Sequence, residues 1–184
     1  MSAAAAINFP IARGAVRRLA VLFVGCAVAL AAFVWLVIPS THSTALISKA
    51  PAFSLPSVSG NQTVSLGGTN GKPAVVNFFA AWCVPCRTEL PRFAAASATN
   101  KNVTFLGVDD QDSRSQARDL LAASGIHYAT GYDPQGSVAP KYGITTGLPA
   151  TVFIDRTGHI THTQFGEISA SELNNQLRLL DKQQ

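Results

Sequence analysis

The sequence predicts an α/β fold in which a mixed β-sheet is flanked by helices. Three apolar runs, at residues 73–79, 103–108 and 150–154, predict buried strands, because strands covered on both faces lack the apolar–polar alternation of a surface sheet. Stretches with helical periodicity separate these runs. Strands that alternate with helices form parallel sheets with right-handed crossovers, so most of the sheet is expected to be parallel.

The remaining elements can be assigned in order along the chain. Residues 52–58 and 62–66 alternate apolar and polar side chains around the turn Gly60-Asn61, which predicts an N-terminal β-hairpin. Ser113 can cap one helix and Gly125 can end it. Helices are predicted at 84–98, 113–124, 138–142 and 169–181, and Pro91 is expected to break the first of them. A short strand is predicted at 127–130, and a strand at 159–165 is expected to form a hairpin with 150–154.

The N-terminal part of the chain predicts a membrane anchor. Residues 19–38 contain no charged side chain, and a helix of that length spans about 30 Å, the hydrocarbon thickness of a bilayer. Arg13, Arg17 and Arg18 precede this segment, and the positive-inside rule then places the N-terminus in the cytoplasm. A cleaved signal peptide is the alternative, although its apolar core is usually only about 7–15 residues long. If the segment is an uncleaved anchor, Cys26 is a small apolar residue within the membrane helix.

The distribution of charge excludes one class of partner. Of the fourteen Lys and Arg residues, three lie before residue 39, and the remaining eleven are balanced by ten Asp and Glu residues. A nearly neutral domain has no basic patch, so nucleic acid is not an expected partner. The predicted organisation is a cytoplasmic tail, a transmembrane signal-anchor helix in contact with the lipid bilayer, a tether and one extracytoplasmic domain, at residues 1–18, 19–38, 39–49 and 50–184.

Two cysteines are the candidate reactive groups of the domain. Cys83 and Cys86 follow the apolar run 73–79, and a helix beginning near Cys83 places both side chains on its first turn. Unpaired N–H groups and the helix dipole lower the pKa of a thiol in that position, so we expect Cys83 to be the nucleophile. Cys86, one turn further along the helix, is then expected to resolve the mixed disulfide.

Zinc binding and a purely structural disulfide are the alternatives for this cysteine pair. A structural zinc site needs four ligands, and the sequence holds no second cysteine pair. His159 and His162 are closely spaced, but residues three apart on a strand point to opposite faces of the sheet. A domain of this length can also bury a core without disulfides. We therefore expect redox exchange, with no resident metal or cofactor.

The residues around the cysteines resemble the active site of the thioredoxin superfamily. Residues 75–91 contain Trp-Cys-x-x-Cys with a proline five positions after the second cysteine, and residues 147–155 contain a Leu-Pro-x-Thr strand. The CxxC-x-x-Glu-x-Pro pattern, the N-terminal hairpin and the membrane anchor resemble the TlpA/ResA/CcmG branch of anchored thiol–disulfide oxidoreductases. The resemblance covers about residues 50–181 and implies a thioredoxin-like fold and a bacterial cell membrane location.

The resemblance also implies roles for individual residues. Pro149 is expected to be a cis-proline that faces the disulfide and leaves the backbone of Leu148 free to pair with an extended substrate. Trp82, Val84 and Pro85 are expected on the same substrate-facing side. For Trp82, ordinary packing in the core is an equally good interpretation.

Glu89 is a candidate for tuning the cysteines, because it lies three residues after Cys86 on the same helical face. One interpretation is a solvated surface acid. The other, implied by the resemblance, is a partly buried carboxylate that tunes the thiol pKa values or relays a proton. Asn77 occupies a strand position where thioredoxins often carry an acid, so Glu89 is the better candidate for a relay. Asp109 and Asp110 end a strand and are expected to be solvated loop charges.

The predicted activity is reduction of disulfides in exported proteins. The pair Val84-Pro85 between the cysteines lacks the His of strongly oxidising family members, which favours a reductant that a membrane thiol donor keeps reduced. Apocytochrome c is the substrate that the resemblance implies. The alternatives are a disulfide-forming oxidant and a binding module for metal or haem. A peroxiredoxin-type peroxidase is disfavoured, because Ala80 stands where such enzymes carry a Thr three residues before the reactive cysteine.

Overall fold

A computed structural model describes residues 48–182, and the elements in it follow the predicted order. The strands are β1 (Ser54–Pro56), β2 (Thr63–Ser65), β3 (Ala74–Phe79), β4 (Thr104–Asp110), β5 (Ala129–Asp133), β6 (Ala150–Ile154) and β7 (Ile160–Phe165). The α-helices are α1 (Val84–Thr99), α2 (Arg114–Ala123) and α3 (Ala170–Lys182), and short 3-10 helices occupy Leu66–Thr69 and Ala139–Tyr142.

A five-stranded mixed sheet forms the centre of the domain, in the order β5-β4-β3-β6-β7. β3, β4 and β5 are parallel, as the helices between them predict, and β7 pairs antiparallel with β6. β6 runs antiparallel to β3, so the expectation of a parallel arrangement is wrong for this strand. The connection from β5 to β6 contains only the 3-10 helix Ala139–Tyr142, which is shorter than the helical crossover that usually joins parallel strands.

Apolar side chains cover both faces of this sheet. On one face, Val75 and Phe105 belong to a cluster with residues of α1, α2 and α3. On the other face, Val76 and Phe78 belong to a cluster with residues of the hairpin and of the 3-10 helix Ala139–Tyr142. Alternate residues of β3 therefore contribute to two cores, which explains why its sequence is almost continuously apolar.

The predicted N-terminal hairpin is present and packs beside β5. β1 and β2 pair antiparallel, with Leu55 opposite Val64. The Val58 N–H donates to the Thr130 carbonyl at 2.9 Å. Leu55 approaches Gly131 so closely that a Cβ at residue 131 would lie 2.8 Å from it, so this contact requires a glycine.

Some predicted boundaries need correction. α1 is not broken at Pro91 but continues through it. Pro91 lies on the exposed side of α1, where water can bond the carbonyl that lost its helical partner. β4 and β5 both extend further than predicted, because their parallel pairing continues as far as Asp110 and Asp133.

The predicted membrane segment at residues 19–38 lies outside the described residues, as does the tail at 1–18. Within residues 48–182, no helix combines the length and the apolar character needed to cross a bilayer. Membrane anchoring therefore stays a prediction.

Candidate active site

The candidate site begins where the central strand β3 leads into α1. β3 ends at Phe79, and α1 begins at Val84. Cys83 is the N-cap residue of α1, and its Sγ accepts a hydrogen bond from the Cys86 N–H at 3.2 Å. A sulfur in this position meets an otherwise unpaired amide and the positive end of the helix dipole, and both stabilise a thiolate.

Cys83 and Cys86 form a disulfide in the structure, with their Cα atoms 5.3 Å apart. Cys86 is completely buried, whereas Cys83 is 4% exposed and is the more accessible residue of the pair. The attacking role of Cys83 and the resolving role of Cys86 stay predictions. Within residues 48–182, no cluster of His, Cys, Asp and Glu side chains has the arrangement of a metal site.

Three hydrogen bonds fix the segment that leads into α1. The Ala81 N–H donates to a carboxylate oxygen of Asp112, and the Ala81 carbonyl accepts from Arg87 Nε at 2.7 Å. Trp82 Nε1 donates to the Gln111 carbonyl at 3.1 Å. Trp82 is 57% exposed, so the interpretation of ordinary core packing is wrong. The loop that follows β4 therefore positions the segment that carries the cysteines.

The residues predicted to face a substrate differ in accessibility. Val84 is 72% exposed and Pro85 is also exposed, whereas Leu148 is half-buried. The Leu148–Pro149 peptide bond is cis, which confirms the predicted cis geometry, while the substrate-facing role of this pair stays a prediction. In the antiparallel pair of β3 and β6, Ala150 lies opposite Phe78. Pro149 directly precedes Ala150, so it lies beside the end of β3 that leads to the cysteines.

Glu89 is completely buried on the inner side of α1, so the interpretation as a solvated surface acid is wrong. Its Oε1 accepts a hydrogen bond from Asn77 Nδ2 at 2.9 Å, and its Oε2 accepts one from the Ile168 N–H at 2.9 Å. Arg92 donates to the Ile168 carbonyl at 2.9 Å and forms an ion pair with Glu167 at 2.7 Å. The Glu89 carboxylate thus joins α1 to β3 and to the segment that precedes α3.

Burial changes the acidity of Glu89. Removal from water raises its pKa from 4.5 to about 7, although the hydrogen bonds from Ile168 and Asn77 favour the ionised form. Asn77 Oδ1 has no hydrogen-bond partner in the part of the chain that the structure describes. A half-turn of the Asn77 amide exchanges its oxygen and nitrogen. The same side chain can therefore donate to ionised Glu89 or accept from protonated Glu89.

Two acids at the end of β4 do not occupy the predicted environment. Asp109 is completely buried and Asp110 is 5% exposed, so the prediction of solvated loop charges is wrong. Both belong to the paired part of β4 and not to the loop after it. The sequence does not single out Asp112 or Gln111, which hold the segment before the cysteines. The signal that points to them is the polar run 109–112 directly after an apolar strand.

Comparison with known proteins identifies the family. Residues 47–163, more than half of the chain, match the AhpC/TSA family. The chain belongs to this family. Among its relatives, the thiol:disulfide interchange protein DsbE of Pseudomonas fluorescens biotype C is 34% identical over 132 residues, which are 71% of this chain and 72% of the relative. The thiol-disulfide oxidoreductase ResA of Bacillus subtilis (strain 168) is 25% identical over 135 residues, 72% of this chain and 74% of the relative.

A solved structure supports the same assignment. The structure of DsbF from MTB (Mycobacterium tuberculosis), in its mixed oxidised and reduced forms, has a TM-score of 0.65 and 29% identity, and the match covers 70% of this chain and 94% of that one. This AhpC/TSA family member is a thioredoxin-like thiol–disulfide oxidoreductase. The predicted resemblance to the ResA and CcmG type and the predicted α/β fold around a mixed sheet are confirmed.

Replacement of Glu89 by Gln should change the pH dependence of stability. Because the folded-state pKa of about 7 exceeds the ordinary value of 4.5, Glu89 imposes no penalty below about pH 4.5 and lowers the free energy of unfolding progressively as the pH rises to about 7. One pKa unit corresponds to about 1.4 kcal/mol, so the wild type should lose up to about 3 kcal/mol that Glu89→Gln does not lose. Urea unfolding of the oxidised proteins across this range measures the difference.

The matched control for this comparison is Asp119→Asn, which changes an exposed acid on α2. Its stability should follow the wild-type curve. Parallel curves for wild type and Glu89→Gln would show that the buried carboxylate does not titrate in this range.

Proposed function

We propose that this protein is an exported, membrane-anchored reductant that removes disulfides from exported proteins by exchange through Cys83 and Cys86. The observation that carries the proposal is the position of both sulfurs at the first turn of α1. There the Cys83 Sγ accepts a hydrogen bond from the Cys86 N–H, and Cys86 is completely buried. The relatives named thiol:disulfide interchange proteins support an exchange reaction.

The proposed reaction uses the two cysteines in sequence. The Cys83 thiolate attacks one sulfur of a substrate disulfide, and the other substrate sulfur leaves as a thiolate. Cys86, once deprotonated, attacks Cys83 Sγ, forms the Cys83–Cys86 disulfide and releases the second substrate sulfur. Two electrons pass to the substrate, whose two thiolates take up protons. Glu89 lies three residues after Cys86 on α1, and with its pKa raised to about 7 by burial it is suited to accept the Cys86 proton.

The proposed substrate surface combines exposed apolar side chains with a free backbone. Trp82, Val84 and Pro85 are exposed around Cys83. Among residues 48–182, no backbone group forms a hydrogen bond with the backbone of Leu148. An extended substrate segment can therefore pair with this residue, as peptides pair with exposed sheet edges elsewhere. Main-chain pairing would tolerate different substrate sequences, which suits a protein that acts on exported disulfides.

The charges near the cysteines favour reduction over oxidation. On a helix, residues three apart have Cβ atoms about 5–6 Å from each other, so ionised Glu89 opposes a thiolate at Cys86. Asp112, bonded to the Ala81 N–H, adds a carboxyl group near Cys83. Groups that disfavour thiolates destabilise the reduced form, and a less stable reduced form makes a dithiol a better reductant. The alternative function, a disulfide-forming oxidant, requires a stabilised reduced form.

The proposed partners follow from the predicted location and the resemblance. Residues 19–38 are proposed as a signal-anchor helix in a bacterial cell membrane, with the N-terminus in the cytoplasm and residues 50–184 outside it. A membrane thiol donor would re-reduce the Cys83–Cys86 disulfide. Apocytochrome c, with its paired haem-binding cysteines, is the proposed substrate through the resemblance to CcmG-type proteins.

Trapping tests the exchange mechanism. In a Cys26→Ala background, the Cys86→Ala variant should retain a substrate as a mixed disulfide on Cys83, because the resolving thiol is missing. Cys83→Ala in the same background is the matched control and should retain none. Non-reducing gels and mass spectrometry of the linked peptides measure the adducts. Equal recovery from both variants, or none from Cys86→Ala, would contradict exchange through Cys83.

The reduction potential of the Cys83–Cys86 couple tests the direction. A reductant should have a potential near that of thioredoxin, about −270 mV, whereas a strong oxidant lies near about −120 mV. Equilibration of the protein with glutathione or dithiothreitol buffers, followed by counting of free thiols, measures this value. A potential near the oxidising limit would support the disulfide-forming alternative.

A further inference from the structure

A buried acid next to the candidate site has no role in the exchange reaction described above. Asp109 is completely buried, and neither of its carboxyl oxygens has a hydrogen-bond donor among residues 48–182. An ionised carboxylate can only accept hydrogen bonds, so burying one without donors is strongly unfavourable. Asp109 is therefore expected to keep its proton.

The charged groups that act on Asp109 are all acids. Asp112, Asp110 and Asp133 oppose its ionisation, and the Asp112 carboxyl group lies within hydrogen-bonding reach. Burial and these neighbours together raise the pKa of Asp109 to about 8. When Asp109 is protonated, its O–H can donate a hydrogen bond to the Asp112 carboxyl group.

The neighbouring elements supply few cations to this region. Asp109 pairs with Phe79 of β3 and with Tyr132 of β5. Arg114 of α2 lies over the Tyr132 ring, 4.5 Å from its centroid. Arg87 of α1 is directed to the Ala81 carbonyl.

Asp112 connects this acid to the segment before the cysteines. Gln111 adopts a φ of 53°, and this left-handed residue turns the chain back after β4. One oxygen of Asp112 accepts the Ala81 N–H, and the other accepts the Ser113 N–H at 2.6 Å. Both oxygens of Asp112 already accept backbone N–H groups, so the proton of this pair belongs on Asp109 and points to Asp112.

We propose that Asp109 and Asp112 are a positioning pair for the exchange reaction, in which the proton of Asp109 allows Asp112 to hold the Ala81 N–H two residues before Cys83. Loss of this proton places two negative charges side by side. Their repulsion moves Asp112, which lies on the loop after β4, away from Ala81. The segment that carries Cys83 is then released at mildly alkaline pH. The inference rests on the proposed function only in assigning Cys83 to the exchange reaction.

Hydrogen exchange at the Ala81 amide tests the pair directly. The full-length protein is studied by NMR in detergent micelles and in the oxidised state, where Cys83 and Cys86 cannot titrate. In the wild type, the protection factor of this amide should fall about tenfold or more as the pH rises, with a midpoint near 8. In Asp109→Asn, an amide donor that cannot ionise replaces the carboxyl group, so protection should stay constant.

Other variants separate this pair from the remaining acids. Glu89→Gln and Asp119→Asn should keep the wild-type transition, whereas Asp110→Asn should move its midpoint to lower pH, because it removes one of the charges that oppose ionisation of Asp109. If Asp109→Asn fails to fold, Asp112→Asn serves instead. Its amide oxygen can still accept from Ala81, although the bond from Ser113 is lost, and it carries no charge that ionised Asp109 could repel. In that variant, the Ala81 amide should stay protected from hydrogen exchange at alkaline pH.

The outcomes are distinct from those of the trapping experiment. Ala81 protection that is independent of pH in the wild type, or a transition that persists in Asp109→Asn, would overturn the pairing of Asp109 with Asp112. Neither result depends on whether Cys83 traps a substrate, so exchange through the cysteines can fail or succeed separately.

Discussion

Complete burial of the Glu89 carboxylate is the constraint that organises this site. A carboxylate removed from water is tolerated only if hydrogen bonds replace the lost solvent, and here Asn77 of β3 and the backbone of Ile168 supply them. α1, β3 and the segment before α3 must therefore keep their relative positions for the carboxylate to be satisfied. The disulfide lies at the N-terminus of that same helix, so the constraint extends to the cysteines.

Two buried acids with raised pKa values lie near the segment that carries the cysteines. Glu89 lies on α1, one turn beyond Cys86, and Asp109, next to Asp112, lies at the end of β4. Glu89 and Asp109 each change charge within a few pH units of neutrality. In the proposed mechanism, Glu89 handles the proton of the resolving thiol, while the aspartates hold the segment before Cys83. Negative charge on both sides of the disulfide disfavours thiolates and supports a reductant.

The sequence predicts the parts of the site that depend on residues close together in the chain. A strand followed by a helix start, Cys83 at the N-cap and Cys86 one turn later follow from local pattern, and the resemblance adds the cis-proline at 149. The burial of Glu89 could not be predicted from local pattern, because one of its partners, Ile168, lies 79 residues away. Local pattern places Asp109 in solvent, because its burial depends on the pairing of β4 with β5, which no local pattern reveals.

The pH dependence of Cys83 alkylation in the reduced protein tests most directly whether the buried carboxylate controls the cysteines. Iodoacetamide labelling, with mass spectrometry separating the Cys83 and Cys26 peptides, gives the rate at each pH. Removal of a negative charge favours the thiolate, so Glu89→Gln should shift the Cys83 profile by about one unit to lower pH. Superimposable profiles for wild type and Glu89→Gln would contradict this control and leave Glu89 with a structural role only.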